Sequence, residues 1–297
     1  MTTRTATLIA LGSLATLSAQ AQERIAVPLT DASRPTVLEV NTFSTSINVS
    51  AYDGKEVVVT TRQISAKDDD RDDGRRGPGP APRPPRAPRP GPFGNAADDE
   101  DEAKITAGLH KVPNGSVGLT VTEENNLVTV KTDFARQPLA LDISVPRNTS
   151  VHMKTVNGGE VTVTGVRGEH ELSNTNGRVV ANDIGGSLVA SSTNGTIRAT
   201  FTDVNPAKPM SFNTFNGNVD VTFPAKLDAT LRVTSGNGEF YTDFDVTLQP
   251  QAPVVERGGQ NGRYQVRMER ETVAQIGKGG ADIRFKTFNG NVMVRKR

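Results

Sequence analysis

The stretch Phe212-Asn213-Thr214-Phe215-Asn216-Gly217-Asn218-Val219-Asp220-Val221 returns almost unchanged as Phe285-Lys286-Thr287-Phe288-Asn289-Gly290-Asn291-Val292-Met293-Val294. Weaker copies centre on Asn176-Gly177, Asn194-Gly195 and Asn237-Gly238. Another surrounds Asn157-Gly158, where Gly159 is an extra residue. Four residues before each Asn stands Met153, Leu172, Ala190, Phe212, Val233 or Phe285, all apolar. Two before it stands Thr155, Asn174, Ser192, Thr214, Ser235 or Thr287, small and polar. Two after the Gly stands Val179, Ile197, Val219, Phe240 or Val292, and Val161 when Gly159 is skipped. Alternation at period two on both sides of a fixed turn predicts strand, turn, strand with one face buried. β-branched and aromatic residues suit that pleated face. Gly at each corner is expected to supply positive φ, so Asn157, Gly158, Asn176, Gly177, Asn194, Gly195, Asn216, Gly217, Asn237, Gly238, Asn289 and Gly290 read as structural turns.

Two architectures satisfy this pattern. Asn-Gly between strands is a strong hairpin signal, which would make an antiparallel meander or sandwich. The copies recur roughly every twenty residues, however, which is the period range of stacked repeats. The spacing therefore favours an all-β, single-chain β-solenoid with Asn-Gly corners. Equivalent side chains would then lie about 4.8 Å apart along one axis. The small polar column is expected to form an internal ladder in which identical neighbours satisfy one another. Left unpaired, such buried groups cost about 1–3 kcal/mol each.

The run Val145-Pro146, Thr155-Val156-Asn157-Gly158, Gly165-Val166-Arg167-Gly168, Asn174-Thr175-Asn176-Gly177, Ile184-Gly185-Gly186 and Ser192-Thr193-Asn194-Gly195 resembles the bacterial DUF4097 family of adhesin-like proteins. The close is similar too: Ile276-Gly277-Lys278-Gly279-Gly280, Ile283, then Thr287-Phe288-Asn289-Gly290-Asn291-Val292. The likeness spans residues 36–65 and 105–297. It implies a β-solenoid and an envelope or surface setting. It brings no catalytic residues to carry over.

Residues 1–22 read as a secretory signal: Arg4, an apolar Thr7-to-Leu17 region, and the small-x-small site Ala19-Gln20-Ala21. The apolar run is shorter than the roughly 20 residues that span a bilayer, so no membrane span is expected after cleavage. An export signal implies a periplasmic, cell-surface or secreted protein. The chain has no Cys, so no disulfide staples it. Residues 23–66 are expected to form an N-terminal β unit that caps the stack, with Val40, Thr42, Ile47 and Val49 on the buried face. Residues 67–104 change character: acidic flanks surround a Pro-rich centre carrying Arg83, Arg86 and Arg89. Such a composition cannot bury enough apolar surface to fold, so this is expected to be a disordered insertion. It could also contact a Pro-recognising groove or an anionic polymer. Residues 105–150 return to strands, with Glu124-Asn125-Asn126 as a turn. Residues 151–297 carry the solenoid, broken around 246–266 by a loop with Tyr264-Gln265-Val266 as a candidate strand, and Arg295-Lys296-Arg297 is expected to charge its open end.

Chemistry is sparse. His110, His152 and His170 have no partner at metal-motif spacing and read as surface residues. Gly277-Lys278-Gly279-Gly280 lacks phosphate-loop spacing and reads as a turn. A net charge of +1 recruits no nucleic acid. Asp220, Glu239 and Asp183 are expected on outward positions of neighbouring coils. A glycosidase would need two such carboxyls about 5–9 Å apart. Phe215 and Phe288 share a corner position and either pack as a ladder or present rings to a sugar face. No cofactor, metal or catalytic residue is indicated. The reading is an exported, non-enzymatic adhesin-like solenoid that binds envelope polysaccharide or envelope protein. The alternatives are a polysaccharide-active enzyme on a β-solenoid and an envelope-stress sensor or scaffold.

Overall fold

The computed structural model describes residues 23–43, 45–63, 118–132, 139–157, 159–250, 254–258, 265–269 and 271–297. Residues 1–22, the Pro/Arg-rich stretch with Arg83, Arg86 and Arg89, His110, Ser44 and Gly158 lie outside the described residues. Within them every regular element is a strand.

The first segments are β1 (Glu23–Pro28), β2 (Thr36–Thr42), β3 (Thr45–Tyr52), β4 (Glu56–Gln63), β5 (Leu119–Glu124), β6 (Leu127–Thr132) and β7 (Leu139–Pro146). The repeat region holds β8 (Thr149–Thr155), β9 (Val161–Thr164), β10 (Arg167–Asn176), β11 (Val179–Asn194), β12 (Ile197–Val204), β13 (Met210–Asn216), β14 (Val219–Phe223), β15 (Ala229–Asn237) and β16 (Phe240–Thr242). The remainder is β17 (Val246–Gln249), β18 (Val254–Gly258), β19 (Gln265–Glu269), β20 (Thr272–Ile276), β21 (Ala281–Asn289) and β22 (Val292–Lys296).

Strands that precede an Asn-Gly corner stack in parallel on one face, in the order β6, β2, β8, β10, the second half of β11, β13, β21, β15. Strands that follow a corner stack on the other, in the order β7, β3, β9, the first half of β11, β12, β14, β22, β16. Like therefore lies on like: Asn174 beside Ser192, Ser192 beside Thr214, Thr214 beside Thr287. The chain is a β-solenoid, and the meander is excluded by these parallel registers. β11 serves both faces because it bends at Asp183 (φ 51°) and Gly186 (φ 105°), a tight second corner.

The stacking order departs from chain order at both ends. β21–β22, last in sequence, sits between the β13–β14 coil and the β15–β16 coil. β2–β3, first of the coils, sits inside β6–β7. The first coil thus does not cap the stack. Its outer neighbours do, and they are closed by antiparallel β5 on one face and by antiparallel β4, then β1, on the other. Arg295-Lys296-Arg297 likewise does not charge an open end. Arg295 pairs with Asp220 at 2.8 Å and Arg297 with Asp183 at 2.6 Å, beside an inner coil. At the far end β20 pairs antiparallel with β15, and β17 in turn pairs antiparallel with β20, closing that face. The region around 246–266, expected as loop apart from a strand at Tyr264-Gln265-Val266, holds β17 and a two-stranded antiparallel pair, β18–β19, whose β19 includes Gln265 and Val266.

Both inner columns are apolar and buried. Met153, Leu172, Ala190, Phe212, Phe285 and Val233 line one face; Val161, Val179, Ile197, Val219 and Val292 line the other. Each large aliphatic side chain so buried contributes about 1.5–3 kcal/mol. Phe201 stacks on Phe223 at 5.0 Å between centroids, and Phe212 on Phe285 at 5.2 Å.

The corners hold two surprises. The small polar column does not pair with itself. Ser192, Thr214, Thr287 and Ser235 each donate a hydroxyl to the corner Gly carbonyl of the adjoining coil, at 2.9–3.3 Å. Among the described residues, the hydroxyls of Thr42 and Thr155 have no partner. The self-pairing ladder forms instead on the exposed corner Asn column. There Asn176, Asn194, Asn216, Asn289 and Asn237 pass amide hydrogen bonds of 2.8–2.9 Å from coil to coil, ending on Asn157. Positive φ explains the glycines only in part: Gly177 lies at 150°, Gly217 and Gly290 at 159° and 156° border extended backbone, and Gly195 and Gly238 are not at positive φ. Proximity explains them: a Cβ on Gly195, Gly217, Gly290 or Gly238 would overlap the Gly carbonyl of the neighbouring coil.

Candidate functional site

A groove of about 670 Å³ lies on the face carrying β10, β11, β13, β21 and β15. Its position follows from strand parity. Residues one and three before each corner Asn point outward: Thr175 and Ser173, Thr193 and Ser191, Phe215 and Asn213, Phe288 and Lys286, Gly236 and Thr234. Because the coils are in register, these outward positions line a path that crosses five coils, roughly 19 Å at the usual strand spacing.

The wall of the groove is aromatic. Phe215 and Phe288 lie on adjacent coils with ring centroids 4.9 Å apart and planes 4° from parallel. They are 51% and 44% exposed. Of the two sequence readings for this pair, the corner ladder is what the rings form, and they remain exposed to solvent. Gly236 accommodates them, since a Cβ there would meet the Phe288 ring at 2.9 Å. Beyond Phe215 the path drops to small hydroxyl side chains, where Ser191 donates to Ser173 at 3.0 Å. Lys286 is the one charged residue of the lining. A smaller hollow of about 330 Å³ lies on the other face, between exposed Tyr241 and Met293 and Arg295.

The carboxylates do not assemble. Asp220 is on β14 and Glu239 just before β16, and β22 lies between those strands. They are therefore on coils two spacings apart, roughly 9.6 Å before any lateral offset. Asp220 is held by Arg295 at 2.8 Å and Asp183 by Arg297 at 2.6 Å. Among the described residues no group of His, Cys, Asp or Glu is placed to hold a metal ion. Gly277-Lys278-Gly279-Gly280 is a turn with Gly277 and Gly279 at φ 57° and 75°. No helix of the described residues is long and apolar enough to cross a membrane.

His152 is exposed, but His170 is not the surface residue that spacing suggested. It is 3% exposed, in the inward column with Val151 and Leu188. The Val151 N–H donates to its Nδ1 at 3.3 Å, and its Nε2 faces the Gly185 carbonyl at 3.3 Å. This pattern fits a neutral ring protonated on Nε2. Burial pushes its pKa down to about 4, against the bond to Gly185. Parity carried the signal: His170 stands two residues before buried Leu172 in one strand.

A family model described as Toastrack DUF4097 matches residues 142–295, just over half of the chain. The chain belongs to the Toastrack DUF4097 family. Two solved structures are similar to this Toastrack chain at low identity. One is described as a "putative cell adhesion protein" from Clostridium sporogenes, with 9% identity and a TM-score of 0.41, covering 93% of this chain and 99% of that one. The other is described as a "putative adhesin" from Bacteroides fragilis, with 11% identity and a TM-score of 0.36, covering 94% and 98%. No match is found among curated proteins.

Proposed function

We propose that this Toastrack chain is an exported, non-enzymatic binding module that holds an extended polymer of the bacterial envelope along its five-coil groove. The groove carries the reading: an exposed, in-register aromatic pair beside a hydroxyl-lined path is built to contact a long, regular ligand. Export rests on Arg4, the apolar Thr7-to-Leu17 run and Ala19-Gln20-Ala21. Family membership adds the adhesin-like setting. The Pro/Arg-rich segment 67–104 supplies a second, electrostatic contact to anionic polymer. Catalysis is disfavoured because Asp220, Asp183 and Glu239 are dispersed and two of them are in ion pairs.

The test is retention on isolated cell envelope. Wild type should sediment with the envelope fraction, and Thr193→Trp, which fills the groove, should stay in the supernatant. Deleting residues 67–104 should weaken retention in a salt-dependent way without abolishing it. Equal retention of Thr193→Trp and wild type would remove the groove from the account.

A further inference from the structure

Resting on the reading of the groove as the binding surface, we infer that its ligand is a neutral glycan, with one pyranose ring stacked on Phe215 above Thr193. The stack Phe215–Phe288 runs along the solenoid axis and is closed at one end, because Phe288 packs on Gly236. At the other end Phe215 opens onto the coil that carries Thr193 and, one coil further, Thr175. Those side chains are short, so the aromatic column stops there while the groove continues. A flat ring over Thr193 would meet Phe215 at one strand spacing, about 4.8 Å, close to the 4.9 Å that separates Phe215 from Phe288.

Three observations select the ring's chemistry. The slot is surrounded by hydroxyl and amide groups, from Ser173, Thr175, Ser191, Thr193 and Asn213. These match a ring that has one face of C–H groups and a rim of hydroxyls. Lys286, on the far side of Phe215, is the charged residue of the lining, and Lys154 lies one coil beyond Ser173, so no cation sits under a ring over Thr193. Finally, the floor is made of strands paired on both sides, with β10, β11 and β13 each between parallel neighbours. Their backbone groups are committed to the ladder. A peptide could not add as a further strand and would leave its own amides without partners. A glycan has no such backbone to satisfy.

The experiment titrates the full exported chain with cellohexaose, maltohexaose and chitohexaose, read by calorimetry and by chemical shifts of Thr193 and Phe215. Saturable binding to at least one is expected. Phe215→Ala should weaken it by about tenfold, as loss of one aromatic contact implies. Thr193→Trp should abolish it by stacking its own indole on Phe215, and Phe215→Tyr should retain it. Binding indifferent to Phe215→Ala and Thr193→Trp would overturn the site. Absence of binding to all three, with Thr193→Trp still lost from the envelope fraction, would overturn the glycan and leave the groove with a peptide or charged polymer. Absence of both effects would overturn both readings.

Discussion

Gly217 shows how a single atom is excluded by stacking. Alanine in place of a flexible glycine usually stabilises a chain by about 0.4–1 kcal/mol when its conformation is allowed. At Gly217 the dihedral is nearly extended, yet the added Cβ would overlap the Gly195 carbonyl. Gly217→Ala should therefore destabilise by about 1–3 kcal/mol, the range for overpacking. Thermal melting checks this: the midpoint should fall by several degrees, whereas an unchanged or raised midpoint contradicts the close approach. The glycine column was legible in the sequence, but its reason was not, because a repeat period does not reveal which backbone atoms come face to face. His170 makes a second residue-scale prediction. Its ordinary pKa of 6.5 falls to about 4 in the fold because burial disfavours the charged ring. Between those values the unfolded chain binds a proton that the native chain refuses. Stability should thus be highest above pH 6.5 and fall as pH drops toward 4, by about 3 kcal/mol in all. Denaturant unfolding at a series of pH values, wild type against His170→Leu, isolates this from carboxylate titration. The difference in slope should appear between pH 6.5 and 4, and parallel curves would contradict it.

At the scale of elements, the coils are joined by one repeated hydrogen-bond scheme. Asn194 donates to Asn176 and accepts from Asn216, so Asn194→Ala removes two links at once. Exposed amide bonds lie at the low end of about 0.5–1.5 kcal/mol each, so the loss should be about 1 kcal/mol. A double-mutant cycle on Asn194 and Asn216 should show coupling. One on Asn176 and Asn289, which do not touch, should be additive within about 0.5 kcal/mol. Additivity in both would mean that the amide ladder is an ornament of the stack. Period-two alternation made the strands, the buried columns and the shared corner position of Phe215 and Phe288 readable before any coordinates. The direction of hydrogen bonds was not readable. A hydroxyl can pair with its twin or with a carbonyl, and only the offset between coils decides that Thr214 reaches Gly195.

For the whole molecule, the consequential feature is the order of stacking. Every coil carries the same corner, so periodicity alone cannot say which coil lies on which. Similarity between copies held the missing hint. The two nearest copies, around Asn216 and Asn289, are direct neighbours although 73 residues apart. Their matched side chains are the ones that stack, Phe212 on Phe285 and Phe215 on Phe288. Because β21–β22 fills the space between two earlier coils, the chain cannot complete its sheets until its last residues are in place. Truncation after Ile276 should therefore abolish cooperative unfolding, not merely shorten the stack. A retained sharp transition would show that the preceding coils close on one another. Cysteine pairs test the arrangement most directly, since the natural chain has none. Lys286 pairs with Asn213 on one side and with Thr234 on the other. Neighbouring strands place such residues within disulfide reach, and alternate strands do not. Oxidation should link Asn213→Cys with Lys286→Cys, and Lys286→Cys with Thr234→Cys, but leave Asn213→Cys with Thr234→Cys free. Ready linkage of the last pair, without the first two, would mean that the coils stack in chain order and would contradict the inserted coil.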